Sequence, residues 1–215
     1  MRLLECFCGT KSIGRSFEEY GFEVVSLDHD PKFEPTICSD ILEWDYTIYP
    51  REYFDVVWAS PDCTQYSIAR SKAKVPRNLD LADSLVLKTL EIIHYFNPRA
   101  YFIENPASGM LKSRPFMHLI PCVTVSYCKY GAGYQKHTMI WGTVVHHRWR
   151  PKCQRDCGSI VNGRHREWAQ RGGQGAWKND HTQVQLYAMP KALCLDIARA
   201  ALNILDTLGP NELYI

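Results

Sequence analysis

The sequence has no apolar run approaching the roughly 20 residues needed to span a bilayer, which argues against a helical membrane protein. Its first residues lack the basic, apolar and small-residue succession of a secretory leader, so the expectation is an intracellular protein with no membrane partner. No internal repeat is present, which excludes a solenoid or propeller. The phosphate-binding fingerprints are missing too: Gly9-Thr10-Lys11-Ser12-Ile13-Gly14 has neither a G-x-G-x-x-G spacing nor a Walker lysine context. A ligand held by its pyrophosphate is therefore disfavoured. Cysteine, by contrast, is abundant, with nine in 215 residues. An odd count without signs of secretion points to reduced thiols in catalytic, metal or core roles rather than to a disulfide framework.

The length suits one α/β domain with a real core, and 46 % hydrophobic residues is an ordinary globular value. The net charge of +2 conceals an uneven spread. Between Thr143 and His181 eight Lys or Arg face three acids, interleaved with Trp149, Trp168 and Trp177 and with four histidines. Cationic and aromatic residues alternating on a loop-rich segment suit a polyanion with stackable bases.

Periodicity gives the architecture. Arg2 to Cys8 reads as a strand entering a turn at Gly9, followed by a helix to about Tyr20 that stops at Gly21. Strands are expected at Phe22 to Leu27, more weakly at Thr36 to Ser39, and at Phe54 to Ala59. Asp80 is the expected N-cap of a helix with Ala82, Val86, Leu90 and Ile93 on one face. Tyr101 to Ile103 is another strand, Cys122 to Tyr127 and Thr138 to Trp141 a late antiparallel pair, and a last helix opens near Pro190 and stops at Gly209. Strands alternating with helices predict an α/β fold with a doubly wound, mainly parallel sheet.

On that scaffold Gly9, Asp28, Asp40, Cys63 and Glu104 each fall at the carboxyl end of a successive strand. In such a sheet these ends share one edge, where ligands and chemistry are kept. A glycine-bearing first turn followed about twenty residues later by an acid is suited to a nucleoside, the acid accepting from ribose hydroxyls. With no pyrophosphate fingerprint, S-adenosylmethionine is the natural cofactor. Cys63, in Ser60-Pro61-Asp62-Cys63, sits on a loop that the proline forces directly after a buried strand.

These motifs resemble those of the DNA cytosine-5 methyltransferases, in particular the compact ones of phages and large DNA viruses, from about Leu4 to Gly142 and again near Met189 to Ala198. Glu5-Cys6-Phe7-Cys8-Gly9 resembles the motif that opens the cofactor site. Asp28 matches its ribose-binding acid, Asp40-Ile41 the adenine-binding pair, and Ser60-Pro61-Asp62-Cys63 the nucleophile motif. Glu104-Asn105-Pro106 matches the E-N-V motif. Tyr130-Gly131-Ala132-Gly133-Tyr134-Gln135-Lys136-His137-Thr138 lies where the Q-x-R-x-R motif belongs, and Tyr187-Ala188-Met189-Pro190-Lys191-Ala192-Leu193 resembles the final motif.

The resemblance implies a Rossmann-like fold and transfer of a methyl group from S-adenosylmethionine to C5 of cytosine in DNA. Its implied catalytic residues are Cys63, Glu104 and Lys136, and its implied cofactor residues Phe7, Gly9, Asp28, Asp40, Ile41, Ser60 and Pro61. Cys63 would add at C6 to make C5 nucleophilic, and Glu104 would hold the N3 edge. The target base must leave the duplex to be reached, so the implied partner is duplex DNA with a flipped cytosine, met by a monomer inside a host cell if the source is a virus or phage. Lys136 and Arg70 are the candidates for the positive charge that a thiolate needs.

The chain departs from the family's pattern at Lys11 and Ser12, which stand for two small glycines, and at Asp62, which stands for a proline. Thr138 stands for an arginine. The implied division is a catalytic domain over 1–142, a small basic DNA-contacting insert over 143–188, and a returning C-terminal helix over 189–215. Within the insert, Cys153-x3-Cys157 with His165 or His181 has the spacing of a zinc site, but one close cysteine pair does not define one, and no metal is assigned. Two other readings stay open: a DNA- or cofactor-binding homologue with weak or lost catalysis, and a methyltransferase of RNA or of a cytosine nucleotide.

Overall fold

The computed structural model describes residues 1–167, 169 and 182–207. Five parallel strands form the left and centre of one sheet: β1 (Arg2–Cys6), β2 (Glu23–Asp28), β3 (Ile37–Cys38), β4 (Val56–Ala59) and β5 (Ala100–Pro106). Two antiparallel strands complete it, β6 (Cys122–Ser126) and β7 (His137–Gly142), in the order β3-β2-β1-β4-β5-β7-β6. The expected mainly parallel, doubly wound sheet is present, and so is the late antiparallel pair.

The strands read as unbroken apolar runs because both faces are covered. Successive side chains alternate between two cores. Leu3, Val56 and Trp58 face one layer with α1 (Ser12–Glu18) and α4 (Lys191–Thr207). Leu4, Val57 and Ala59 face the other, against α2 (Leu79–Phe96). Helix α4 buries Leu193, Ile197, Ala201 and Ile204 on the spacing read from the sequence, while Leu208 and Gly209 lie outside the described residues.

Several boundaries differ, each for a physical reason. Strand β1 ends at Cys6 because Phe7 and Gly9 turn into positive φ, 57° and 45°, to open the loop at the sheet edge. The N-cap of α2 is Asn78, whose Oδ1 accepts from the Leu81 N–H at 3.0 Å; Asp80 sits in the first turn, where its charge favours the helix dipole. Strand β5 runs past Ile103 through Glu104, Asn105 and Pro106, because β7 pairs with it as far as Pro106 opposite Thr138. After β7 the chain carries a short hairpin, β8 (Ile160–Val161) with β9 (Arg164–His165), and a single turn of helix, α3 (Gln183–Tyr187).

Candidate active site

The loops at the carboxyl ends of β1, β2, β4 and β5 enclose a cavity of about 370 Å³, within the usual range for a small-molecule site. Of the residues singled out in the sequence, Phe7, Gly9, Asp28, Ser60, Pro61, Cys63, Glu104 and Lys136 all line it. Asp40 and Ile41 do not. Asp40 is exposed and its Oδ1 accepts from the Leu42 N–H at 2.9 Å, while Ile41 is buried in the core under β2. Sequence reasoning left Lys32 and Phe33, which follow β2, out of the site, as it did Trp58 and Tyr127; Glu5, read there as part of the motif opening the cofactor site, also lines the cavity. Tyr187 and Met189 reach the cavity from the chain ahead of α4.

At one end the first loop is shaped around Asp28. This buried carboxylate accepts from the Gly9 N–H through Oδ2 and from the Asp30 N–H through Oδ1, both at 2.9 Å. The His29 imidazole lies 3.5 Å from Oδ1, and lone-pair capacity remains on Oδ2 for a ligand. Lys11, in the left-handed region at φ 55°, precedes α1 and its ammonium donates to the Glu34 carbonyl, so it closes the loop instead of entering the site. That arrangement accommodates a lysine where the family pattern has a glycine.

Glu5 lies beneath this loop and is 2 % exposed. Burial pushes its carboxyl up to about 7, against the opposing influence of the Gly14 and Ile13 N–H groups. Neither N–H completes the shell, since Oε2 is buried with no hydrogen-bond partner. Gly14 is required above it: a Cβ there would sit 2.5 Å from that oxygen. An orphaned acid at the wall of a cavity is a place for a cation.

At the other end Cys63 meets Glu104 and Lys136. Its loop is tied down on both sides. Ser60 Oγ donates to the Phe7 carbonyl at 3.2 Å, and Asn105 Nδ2 donates to the Pro61 carbonyl at 3.0 Å in a buried bond. Beyond the thiol, buried Tyr66 donates to Asp83 Oδ1 at 2.8 Å, and Arg77 donates to the carbonyls of Gln65 and Ser67. Asp62, which also lines the cavity, forms an Asx turn, accepting from Thr64 N–H at 3.0 Å and from the Thr64 hydroxyl at 2.6 Å.

Burial pushes the Cys63 thiol up, and the carboxylates of Glu104 and Asp62 push it further; Lys136 opposes them. Burial likewise raises Glu104, opposed by Lys136 and by the Thr138 hydroxyl that donates to its Oε1. Lys136 is thus the cation that acts on both groups, held with its ammonium 4.6 Å from the Tyr127 ring centroid. Arg70 is not placed to do so: its guanidinium donates to the carbonyls of Val75 and Pro76 on its own loop, each at 3.3 Å. Thr138 Oγ1 also lies 3.0 Å from the Asn105 carbonyl, which competes for its single hydroxyl proton, so the residue standing for the family's arginine orients Glu104 from β7.

A thiol, a buried carboxyl and an ammonium at one end, with an acid-lined nucleoside-sized recess at the other, is the layout implied by the sequence motifs. The comparison that decides the family is with "Probable DNA (cytosine-5)-methyltransferase" of Frog virus 3 (isolate Goorha), 35 % identical over 158 residues, 67 % of this chain and 71 % of that protein. The chain belongs to the DNA (cytosine-5)-methyltransferase family. No family model matches it.

Two solved structures share the fold at low identity. The Entamoeba histolytica methyltransferase EhMeth is 16 % identical with a TM-score of 0.52, covering 71 % of this chain and 56 % of that one. The S. pombe Dnmt2 methyltransferase is 14 % identical with a TM-score of 0.50, covering 66 % and 50 %. The chain therefore spans about half the length of these solved relatives. Among the described residues no helix is long and apolar enough to cross a membrane.

Proposed function

We propose that this methyltransferase acts on C5 of cytosine in DNA, with Cys63 as nucleophile, Glu104 and Lys136 as its electrostatic partners, and S-adenosylmethionine as methyl donor. The observation that carries the reading is the convergence of Cys63, Glu104 and Lys136 with Asp28 and Gly9 on one cavity.

The residues present fit the donor. Asp28 offers lone-pair capacity on Oδ2 to a ribose, and the orphaned Glu5 Oε2 suits the cationic end of such a molecule. When bound, the donor supplies a methyl group on a positively charged sulfur. Asp40 and Ile41, the residues matching the adenine-binding pair, stand outside the cavity at the end of β3, so their part in holding the donor requires that loop to shift.

C5 of cytosine attacks such a methyl group only after a nucleophile has added at C6. Cys63 is the group at the cavity able to add there. Because its thiol is raised in the free protein, it must lose its proton as the base arrives, and Lys136 is the charge that stabilises the resulting thiolate. Glu104, raised by burial, is the carboxyl placed to donate a proton toward N3, which draws charge out of the ring while the Cys63–C6 bond forms. Thr138 holds that carboxyl in place from β7. Loss of the C5 proton to water, return of the N3 proton to Glu104 and departure of Cys63 as thiolate then release 5-methylcytosine.

The segment from Thr143 to His181 is the proposed DNA contact. Arg148, Arg150, Lys152, Arg155, Arg164 and Arg166 are all exposed on its described part, suited to phosphates rather than to base edges. Trp168, Trp177 and His181 lie outside the described residues. A filter-binding titration tests this assignment: affinity for duplex DNA should fall steeply with salt and should weaken uniformly across sequences when Arg164 and Arg166 are replaced by Ala. Affinity that ignores both changes would remove the segment from the interface.

A further inference from the structure

Three cysteines and a histidine outside the active site converge on one point. Cys128 lies in the turn after β6, Cys153 and Cys157 in the loop after β7, and His165 on β9. Their ligand atoms all lie within 4.8 Å of one another. We propose that Cys128, Cys153, Cys157 and His165 bind a structural zinc ion that fastens the basic insert to the catalytic domain.

The geometry matches that metal. His165 Nε2 lies 3.4 Å from Cys157 Sγ and 3.6 Å from Cys153 Sγ. With Zn–S near 2.3 Å and Zn–N near 2.05 Å, a tetrahedral site has S···N edges of about 3.5 Å. Thiolate and imidazole ligands with no carboxylate select zinc over magnesium or calcium, and four protein ligands leave no open position, the mark of a structural site. The sulfur of Cys153 also accepts from the backbone N–H groups of Arg155 and Asp156, and the Lys129 ammonium, paired with Asp156 at 2.7 Å, adds positive charge near the Cys153 and Cys157 sulfurs. Three thiolates and a neutral imidazole around Zn²⁺ carry one net negative charge, which these groups offset.

The alternative, a cluster of reduced core thiols, leaves unexplained why a histidine points at two sulfurs. It also leaves the insert with little to hold it together. Its hairpin pairs two residues on each side, and its side chains at Val145 and Val161 are exposed. Small loop-rich segments of this kind use a metal to supply the folding free energy that they cannot get from a core.

The site also bears on catalysis by position. The Cys153 N–H donates to Ser126 Oγ at 2.9 Å, Ser159 Oγ to the Ala132 carbonyl at 2.7 Å, and the Glu167 N–H to the Gly133 carbonyl at 3.1 Å. The insert thereby clasps the segment from 126 to 137 that carries Lys136.

The test is the metal content of the purified full chain after dialysis against EDTA, with X-ray absorption at the zinc edge. The account predicts about one zinc per chain with three sulfur neighbours and one nitrogen. Cys63→Ala should keep that zinc, whereas Cys153→Ser and His165→Ala should lose most of it and weaken duplex DNA binding. Wild-type protein free of zinc with the half-buried Cys157 thiol open to a thiol reagent would overturn the proposal. So would a disulfide among these cysteines, or a zinc with oxygen neighbours that survives Cys153→Ser.

Discussion

Replacing Glu5 by Gln isolates the buried charge beneath the first loop. Burial raises the Glu5 carboxyl from 4.5 to about 7 in the folded protein. Below the lower value both states hold the proton and the group costs no stability. Above it the unfolded chain ionises while the folded protein does not, so stability falls as pH rises, until the folded group titrates at about 7, and is level beyond. Integrated from about pH 5 to pH 8, the loss is about 2.5 kcal/mol. The Glu5→Gln protein lacks this dependence, and its carboxamide oxygen can still face the Gly14 and Ile13 N–H groups. Urea unfolding of both proteins across that range, without donor, should show their difference moving by about 2.5 kcal/mol in the variant's favour. With S-adenosylmethionine present the order should reverse. A cationic ligand favours the carboxylate, so wild-type affinity should rise as pH passes about 7 while the variant's stays flat. A stability difference that does not change with pH would refute the buried ionisation and with it the role given to Glu5.

Other outcomes follow from the same geometry. Lys136→Met removes the cation that opposes burial at Cys63; methyl transfer should drop by about 10²-fold with its pH profile displaced to higher pH, and Lys136→Arg should recover part of it. Asp62→Asn keeps the Asx turn but removes an anion that raises the thiol, so alkylation of Cys63 by iodoacetamide near neutral pH should quicken several-fold. Gly142, at φ 120°, ends β7 with no room for a Cβ against the Tyr101 carbonyl, so Gly142→Ala should cost about 2–4 kcal/mol in thermal or urea unfolding.

The sheet and the side of it that carries chemistry were legible from residues such as Val56-Val57-Trp58 followed by a proline, because burial on both faces leaves an unbroken apolar run. The family was legible from the order of its motifs. Strand β5 was cut short in the sequence reading because Glu, Asn and Pro are poor strand formers; pairing with β7 overrides that preference and brings Thr138 onto Glu104. Asp80 was read as the cap, two positions from the true cap Asn78, because either side chain can serve and helix ends are legible only to within a residue or two. Arg70 was weighed as a partner of Cys63 on proximity in sequence, but its loop folds the guanidinium back onto its own carbonyls. Cys128 carried no signal at all: its partners lie 25 or more residues away, and only the β6–β7 hairpin brings it beside Cys153 and Cys157.

The most direct test of the central claim is tritium transfer from labelled S-adenosylmethionine into duplex DNA by wild-type protein beside Cys63→Ala, with RNA and dCMP as parallel acceptors. The account predicts labelled 5-methylcytosine in the duplex with wild type and none with the variant, while both proteins still bind the donor. Donor binding without transfer by wild type, or transfer that survives loss of Cys63, would contradict it.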